Sequence, residues 1–385
     1  MRNSFLPFSP PLIGEEEIAE VVDCLRSDWI TTGPKTRKFE QEFAEYVGAE
    51  AALAVSSGTD AMVVGLAAMG ISQGHEVVTT TMTFCSTVHV IEQAGARPVL
   101  VDVEEDTLNM DPLRVEKAIT PRTRAIVPVH LYGHPCDMGA LRDLAGRHNL
   151  LILEDAAHAL PAFYKGAMIG GSESVAAFSF YATKNLTTGE GGMLTGSAQL
   201  IKQARLWSLH GMSGDAYRRY NQNGSWGYDV LVPGFKCNMS DIQAAIGLRQ
   251  LQKLDGFQER RRRIVNRYRK TLQQCAEVRL PTERADVVSA WNLFPIRLEL
   301  EALSIDRNQF IEELKRRNIG ASVHFIPIHL HPYYRDKYGF KMEDFSIAYR
   351  EFLRIVTLPL SARMNESDAD DVAEAVQEIC REYHR

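Results

Sequence analysis

Between about residues 50 and 200 the chain alternates short apolar runs with stretches of helical spacing. The runs are "EVVTTTMTF" (76–84), "ARPVLVDV" (96–103), "RAIVPVHLYG" (124–133), "LLILEDA" (150–156) and "VAAFSF" (175–180). Most are apolar on both faces, as strands are when helices cover both sides of a parallel sheet. Helical periodicity lies between them, for example in "MGALRDLAGRHN" (138–149). This βαβα rhythm predicts a doubly wound α/β domain. In such sheets ligands bind beyond the carboxyl ends of the strands. The residues that close each run are therefore the ones to read for chemistry.

The rhythm changes after residue 239. "MSDIQAAIGLRQLQKLDGFQERRRRIVNRYRKTLQQC" (239–275) reads as one long helical tract, with Gly256 a candidate break. Ile264, Tyr268 and Leu272 recur every four residues in and just after its basic segment "ERRRRIVNRYRK". That spacing predicts an amphipathic helix whose arginines face water. A nucleic-acid role for so short a run is the weaker reading, and a net charge of −6 gives no reason to expect one. The stretches 289–298, 307–319 and 321–328, with a final helix near 367–383, predict a smaller α+β unit. The 385 residues, 45% of them hydrophobic, suffice for two packed units. We place the division near residue 255, with a large unit over 1–255 and a small one over 256–385.

Six cysteines (24, 85, 136, 237, 275 and 380) are scattered, and none forms a CxxC pair. The sequence thus predicts neither a disulfide framework nor a zinc site, and reduced thiols suit a cytoplasmic location. "MRNSFLPFSPPLIG" lacks the long apolar core of a secretory signal, and no run is long enough to cross a bilayer. No membrane partner is expected.

Four short stretches carry candidate chemistry. In "VSSGTDAM" (55–62) a strand-like run leads through Gly58 and Thr59 into a helix start, a ready anion site. Taken alone, an ordinary Ser/Thr N-cap explains it better. In "ILEDAAHA" (152–159) Asp155 closes an apolar strand, where an acid could hold a cationic ring nitrogen. Alone, Asp155 reads equally as a helix cap, and His158 as a satisfied structural histidine. In "AAFSFYATKNLTTGEGGML" (176–194) Ser179 precedes Lys184 by five residues, and glycines follow. A hydroxyl suited to phosphate beside an amine suited to an aldehyde points to pyridoxal phosphate (PLP). In "PGFKCNMSDIQAA" (233–245) Asn238 precedes a helix start, which alone is a simple cap. Together, a phosphate turn, a strand-end acid and Ser…Lys in that order match the logic of a fold-type I PLP enzyme. Asp155 would keep the pyridine nitrogen protonated, and Lys184 would hold the cofactor and shuttle a proton.

At this point the sequence resembles the DegT-type sugar aminotransferases, which act on nucleotide-linked ketosugars. The resemblance runs almost end to end, from "FLPFSPPLIGEEE" through "SDWITTGPKTRKFEQEF" to "VHFIPIHLHPYY", and includes "SSGTDA", "EDAAHA", "FSFYATKNLTTGEGG" and "NMSDIQAAIG". It implies an aspartate-aminotransferase-like α/β fold of type I, with a mostly parallel central sheet and a smaller C-terminal α+β domain. It implies that Lys184 is the Schiff-base lysine and Asp155 the partner of the pyridine nitrogen. Gly58, Thr59 and Ser179 match the phosphate cradle, and Phe84 the aromatic that stacks on the ring. His158 stands where the family has His or Gln. Asn238 matches a residue that reaches the phosphate of the neighbouring subunit, which implies a homodimer with shared sites. "VHFIPIHLH" matches a segment lining the sugar pocket, with His324 and His329 as the implied contacts.

Three histidines at 324, 329 and 331 could suggest a metal, but no acid or thiol accompanies them. No metal is expected. Relatives that carry His at the lysine position dehydrate sugars, so Lys184 favours transamination. "SDWITTGPK" and "EDAAHA" resemble those of a member acting at sugar carbon 4, although that member has Trp at Phe84 and Ala at Gly58. The implied amino donor is glutamate, which leaves as 2-oxoglutarate. A PLP-dependent sugar dehydratase, an amino-acid transaminase of the same fold and a non-catalytic regulator are the competing readings.

Overall fold

The computed structural model describes residues 2–171, 174–213 and 227–385. Its centre is a sheet built from β1 (Ala51–Val55), β2 (Glu76–Thr80), β3 (Arg97–Val101), β4 (Thr123–Val127), β5 (Leu151–Ile152), β6 (Glu154–Asp155), β7 (Ala176–Ser179) and β8 (Gly192–Gly196). Two four-stranded ladders, β3-β2-β4-β5 and β1-β8-β7-β6, meet along the chain segment that carries β5 and β6. Leu153 between them donates to the Ile126 carbonyl at 3.1 Å, and Asp155 donates to that of Pro128 at 2.8 Å. The segment therefore runs as one continuous line through the middle of the sheet.

Pairing is parallel from β3 through β7. Only β8 reverses, running antiparallel to both β7 and β1. The sheet is mostly parallel, and β8 is an element the sequence reading did not anticipate. Its sequence, "GMLTG", is short and closed by glycine at both ends, so the run carries little strand signal. All five of its residues are nonetheless buried, Leu194 between Leu53 of β1 and Ala177 of β7.

The long helix spans Asp241–Leu272 without a break. Gly256 does not interrupt it. A Cβ there would meet nothing within 4 Å, so the residue costs about 1 kcal/mol in propensity and no packing. A capping box between Ser240 and Gln243 fixes the helix start. Leu248, Leu251 and Leu254 join the cluster around Phe39, Phe43 and Phe178 under the large sheet. Ile264, Val265, Tyr268 and Leu272 join a second cluster with Phe294, Phe310 and Val376. That second core packs on an antiparallel sheet of β9 (Val278–Arg279), β10 (Phe294–Leu298) and β11 (Ile355–Leu358), with the helix Glu366–Glu382.

The basic face of the long helix departs from expectation at one position. Arg260, Arg262 and Arg263 face water, but Arg261 is buried. Its guanidinium donates to the carbonyl of Leu360 at 3.1 Å and to those of Trp291 and Asn292 at 3.4 Å. Carbonyls with no backbone partner draw the arginine inward, and burial lowers its pKa to about 10. Among the described residues no helix is long and apolar enough to cross a membrane.

Candidate active site

The carboxyl ends of four strands open onto one cavity of about 490 Å³. The turn after β1 brings Ser57, Gly58 and Thr59, and the end of β2 leads to Thr83 and Phe84. β6 ends at Asp155 and β7 at Ser179. Lys184 and His158 line the same space, as do His324 and Phe325 from the smaller unit.

The side of the cavity suited to an anion follows from local backbone chemistry. Ser57 caps the helix Gly58–Ala68, its Oγ accepting from the Asp60 N–H at 3.0 Å. The N–H groups of Gly58 and Thr59 then remain without partners inside the helix, where its dipole favours an anion. A Cβ on Gly58 would lie 2.8 Å from Ser179 Cβ and 3.1 Å from Ser179 Cα. Glycine is what lets the helix start lie against the end of β7, so that backbone donors and the Ser179 hydroxyl face one spot.

Lys184 sits in a turn clamped from several sides. Its N–H donates to the Tyr181 carbonyl at 2.9 Å. The next residue, Asn185, donates to the carbonyls of Leu160 at 2.9 Å and Ala290 at 2.7 Å, and accepts from Asn292 at 3.0 Å. The amine itself is half-buried among cavity residues, and loss of hydration lowers its pKa to about 8. The Asp155 carboxylate opposes that shift, which makes the two groups an electrostatic pair.

Asp155 is only 5% exposed. Its Oδ2 accepts from Thr87 Oγ1 at 2.7 Å and its Oδ1 from the Ala157 N–H at 3.2 Å. Thr87 is in turn bonded to Thr83 at 2.8 Å. Burial pushes the Asp155 carboxyl above its ordinary range, while Thr87, the Ala157 amide and the Lys184 ammonium pull it back. Such a carboxylate is oriented by neutral donors and stands to gain from a cation in the cavity. A protonated ring nitrogen is a cation of that kind.

The histidines divide. His158 stacks on Phe325 at 5.8 Å between centroids, and its Nδ1 accepts from the Tyr132 N–H at 3.3 Å. That bond leaves the proton on Nε2, and burial holds the ring well below its ordinary pKa. His324 lies between Phe8, 5.3 Å away, and Phe325, 5.0 Å away, and burial pushes its pKa down to about 4. Both rings are neutral near pH 7, able to donate or accept hydrogen bonds without carrying charge.

His329 is not brought to the cavity. It is buried, bonded to Thr81 Oγ1 at 2.8 Å and packed on Phe345 at 4.7 Å. A single helical turn at Ile328–Leu330 swings it inward, so the run of histidines does not share a face.

Phe84 stands just before the helix Cys85–Gln93 and is 57% exposed, with its ring 5.9 Å from that of Phe325. Asn238 does not line its own chain's cavity; its Nδ2 donates to Thr32 Oγ1. Thr87, Thr83, Tyr181 and Glu190 belong to the site or its support, and sequence reasoning did not single them out. No motif marks Thr87, which sits in the first turn of the helix after β2 and reaches Asp155 across the sheet edge.

The DegT/DnrJ/EryC1/StrS aminotransferase family matches residues 11–377. The chain is 50% identical over 382 residues to the spore coat polysaccharide biosynthesis protein SpsC of Bacillus subtilis, covering 99% of this chain and 98% of SpsC. Among solved structures, the PMP form of Spr1654 from Streptococcus pneumoniae matches with a TM-score of 0.92 at 35% identity, covering 98% of this chain and 99% of that one. Its PLP form matches at 0.91. PseC of Helicobacter pylori, an aminotransferase involved in the biosynthesis of pseudoaminic acid, matches at 0.90 with 26% identity, covering 99% of this chain and 100% of PseC.

Proposed function

The chain belongs to the DegT/DnrJ/EryC1/StrS family of PLP-dependent sugar aminotransferases, and on that footing we infer that it moves the amino group of glutamate onto carbon 4 of a nucleotide-linked ketosugar. The observation that carries this reading is the pairing of Lys184 with a buried, hydrogen-bonded Asp155 in one cavity beside the Gly58 helix start.

Bound PLP supplies an aldehyde that can carry the amine and a ring that withdraws electrons. The protein's residues do the rest. The N–H groups of Gly58 and Thr59 and the Ser179 hydroxyl would hold the phosphate. Asp155 would keep a proton on the ring nitrogen, and Phe84 would cover one face of the ring. His158, with its proton on Nε2, would donate to the ring's hydroxyl oxygen. Lys184 would hold the cofactor at rest and, as a free amine with a pKa of about 8, move a proton near neutral pH. Glutamate and the sugar would use the site in turn, by a ping-pong sequence. His324 is the substrate contact this reading retains; His329 is dropped from it because its ring is committed to Thr81. The reading also includes a cytoplasmic enzyme of two units, 1–255 and 256–385. The change of hydrophobic cluster between Leu254 and Ile264 supports that division.

A homodimer with shared sites is part of the reading, with Asn238 reaching the partner's cofactor phosphate. In favour, Asn238 lies at the approach to the long helix and outside its own chain's cavity. Mixing Lys184→Ala chains with Asn238→Ala chains should then restore activity. One site of each mixed dimer carries both defects and the other carries neither. Up to about half of the heterodimer's sites would work, well above either parent. Verified heterodimers with no recovered activity would place Asn238 in its own site.

Carbon 4 rests on likeness to the aminotransferase that makes UDP-4-amino-4-deoxy-L-arabinose, in "SDWITTGPK" and "EDAAHA". The seat of the sugar decides which carbon reacts, and a shift of about 1 Å can redirect or stop the reaction. Matched 3-keto and 4-keto nucleotide sugars should be offered with glutamate, and the products located by mass and ring-position analysis. We expect the 4-keto sugar to be aminated at least ~10-fold faster. A clear preference for the 3-keto sugar overturns the choice of carbon and leaves the aminotransferase standing.

A further inference from the structure

Two of the scattered cysteines meet in the fold. Among the described residues, Cys275, Glu277 and Cys380 bring their ligand atoms within 4.8 Å of one another. Cys275 Sγ lies 3.2 Å from Glu277 Oε2. The other carboxylate oxygen, Oε1, is 2.6 Å from His384 Nδ1. We propose that Cys275, Glu277, Cys380 and His384 form a binding site for a thiophilic divalent cation of the zinc class, far from the cofactor cavity in sequence and lining. Two sulfurs, an imidazole nitrogen and a carboxylate oxygen are a donor set that such a cation takes in tetrahedral geometry. Three of the donors already lie within 4.8 Å of one another, against the roughly 3.3–3.8 Å between donors set about 2.0–2.3 Å from a common centre; His384, bonded to Glu277 and exposed, would supply the fourth by turning its ring.

The backbone holds the donors in place. Cys275 follows the long helix, its N–H bonded to the Leu272 carbonyl at 3.0 Å. Glu277 is fixed by the Glu299 N–H, which donates to its carbonyl at 2.8 Å. Cys380 sits in the last turn of the helix Glu366–Glu382, and His384 follows four residues later. Near the C-terminus, Leu303 bridges His384, and the Arg385 N–H donates to the Ala302 carbonyl at 3.0 Å. His384 is therefore held rather than left on a free tail.

A divalent cation bound there would displace the thiol protons and pin the C-terminal helix to the end of the long helix.

The test uses the untagged, PLP-loaded enzyme, reduced, stripped with a chelator and titrated with zinc ion against a chromogenic competitor. We expect one zinc per chain, with about two protons released as both thiols ionise. Cys275→Ser and His384→Ala alter partly exposed residues, so they avoid the folding risk of replacing buried Cys380. Each should weaken zinc binding by more than the ~10–100-fold that losing a mere outer-shell partner costs, with the basal aminotransferase rate unchanged. Absence of stoichiometric binding by the reduced enzyme overturns the proposal, including the case where air oxidation yields a Cys275–Cys380 disulfide instead. Wild-type zinc affinity in both variants overturns it as well, since other donors would then hold the ion.

Discussion

Lys184→Ala should lower amination of the sugar by roughly 10⁴-fold or more. In the proposed role the variant would lose both the amine that holds the cofactor and the base that moves the proton, and a positioned base alone contributes about 10²–10⁴-fold. Among the described residues no other lysine lines the cavity to replace it. Lys184→Arg should not rescue the rate, because a guanidinium does not give up its proton in this pH range. The fold should survive, since the turn is held by backbone bonds and by Asn185 rather than by the lysine side chain. Single-turnover assays with saturating cofactor measure the effect. A rate within about tenfold of wild type would remove Lys184 from its role.

Asp155→Asn should keep the fold and some PLP but lose about a hundredfold or more in rate. A charge-assisted bond to the ring nitrogen is worth on the order of a few kcal/mol, and each 1.4 kcal/mol is about tenfold. A second readout separates this role from a helix cap. The Asp155 carboxylate favours the protonated form of Lys184, holding its pKa up against burial. Its removal should move the Lys184 midpoint from about 8 to a lower pH in the cofactor-free chain. The pH dependence of Lys184 modification by an amine reagent, read by peptide mass spectrometry, follows that shift. His158 and His324 should add no transition to that profile near pH 7, because burial pushes both imidazoles below their ordinary pKa. An unmoved midpoint together with an unchanged rate would leave Asp155 a structural residue.

The strands that carry the site were readable because each ends in an abrupt change of chemistry. Apolar runs gave way to Gly58-Thr59, Asp155 and Ser179, and a parallel sheet sends such ends to one edge. What escaped the reading depended on packing in three dimensions. β8 is too short and glycine-bounded to announce itself, yet it lies buried between β7 and β1. Thr87 has no local signature, because its partner Asp155 is distant in sequence. The three histidines near the small unit look alike along the chain, and only the turn at Ile328–Leu330 separates His329 from His324. Arg261 looks like its solvated neighbours until the carbonyls of Trp291, Asn292 and Leu360 claim it. The cysteines are the plainest case. Spacing rules read neighbours in sequence, whereas Cys275 and Cys380 are joined by two helices that pack together.

The central claim is that this chain carries an amino group from glutamate to a keto sugar, and the two half-reactions test it most directly. The PLP-loaded enzyme should lose the visible absorption of its bound cofactor when glutamate is added, releasing one 2-oxoglutarate per chain. Addition of a 4-keto nucleotide sugar should restore the absorption and yield one amino sugar per chain. Cofactor absorption that glutamate leaves unchanged, or a dehydrated sugar formed without consumption of glutamate, would contradict the account.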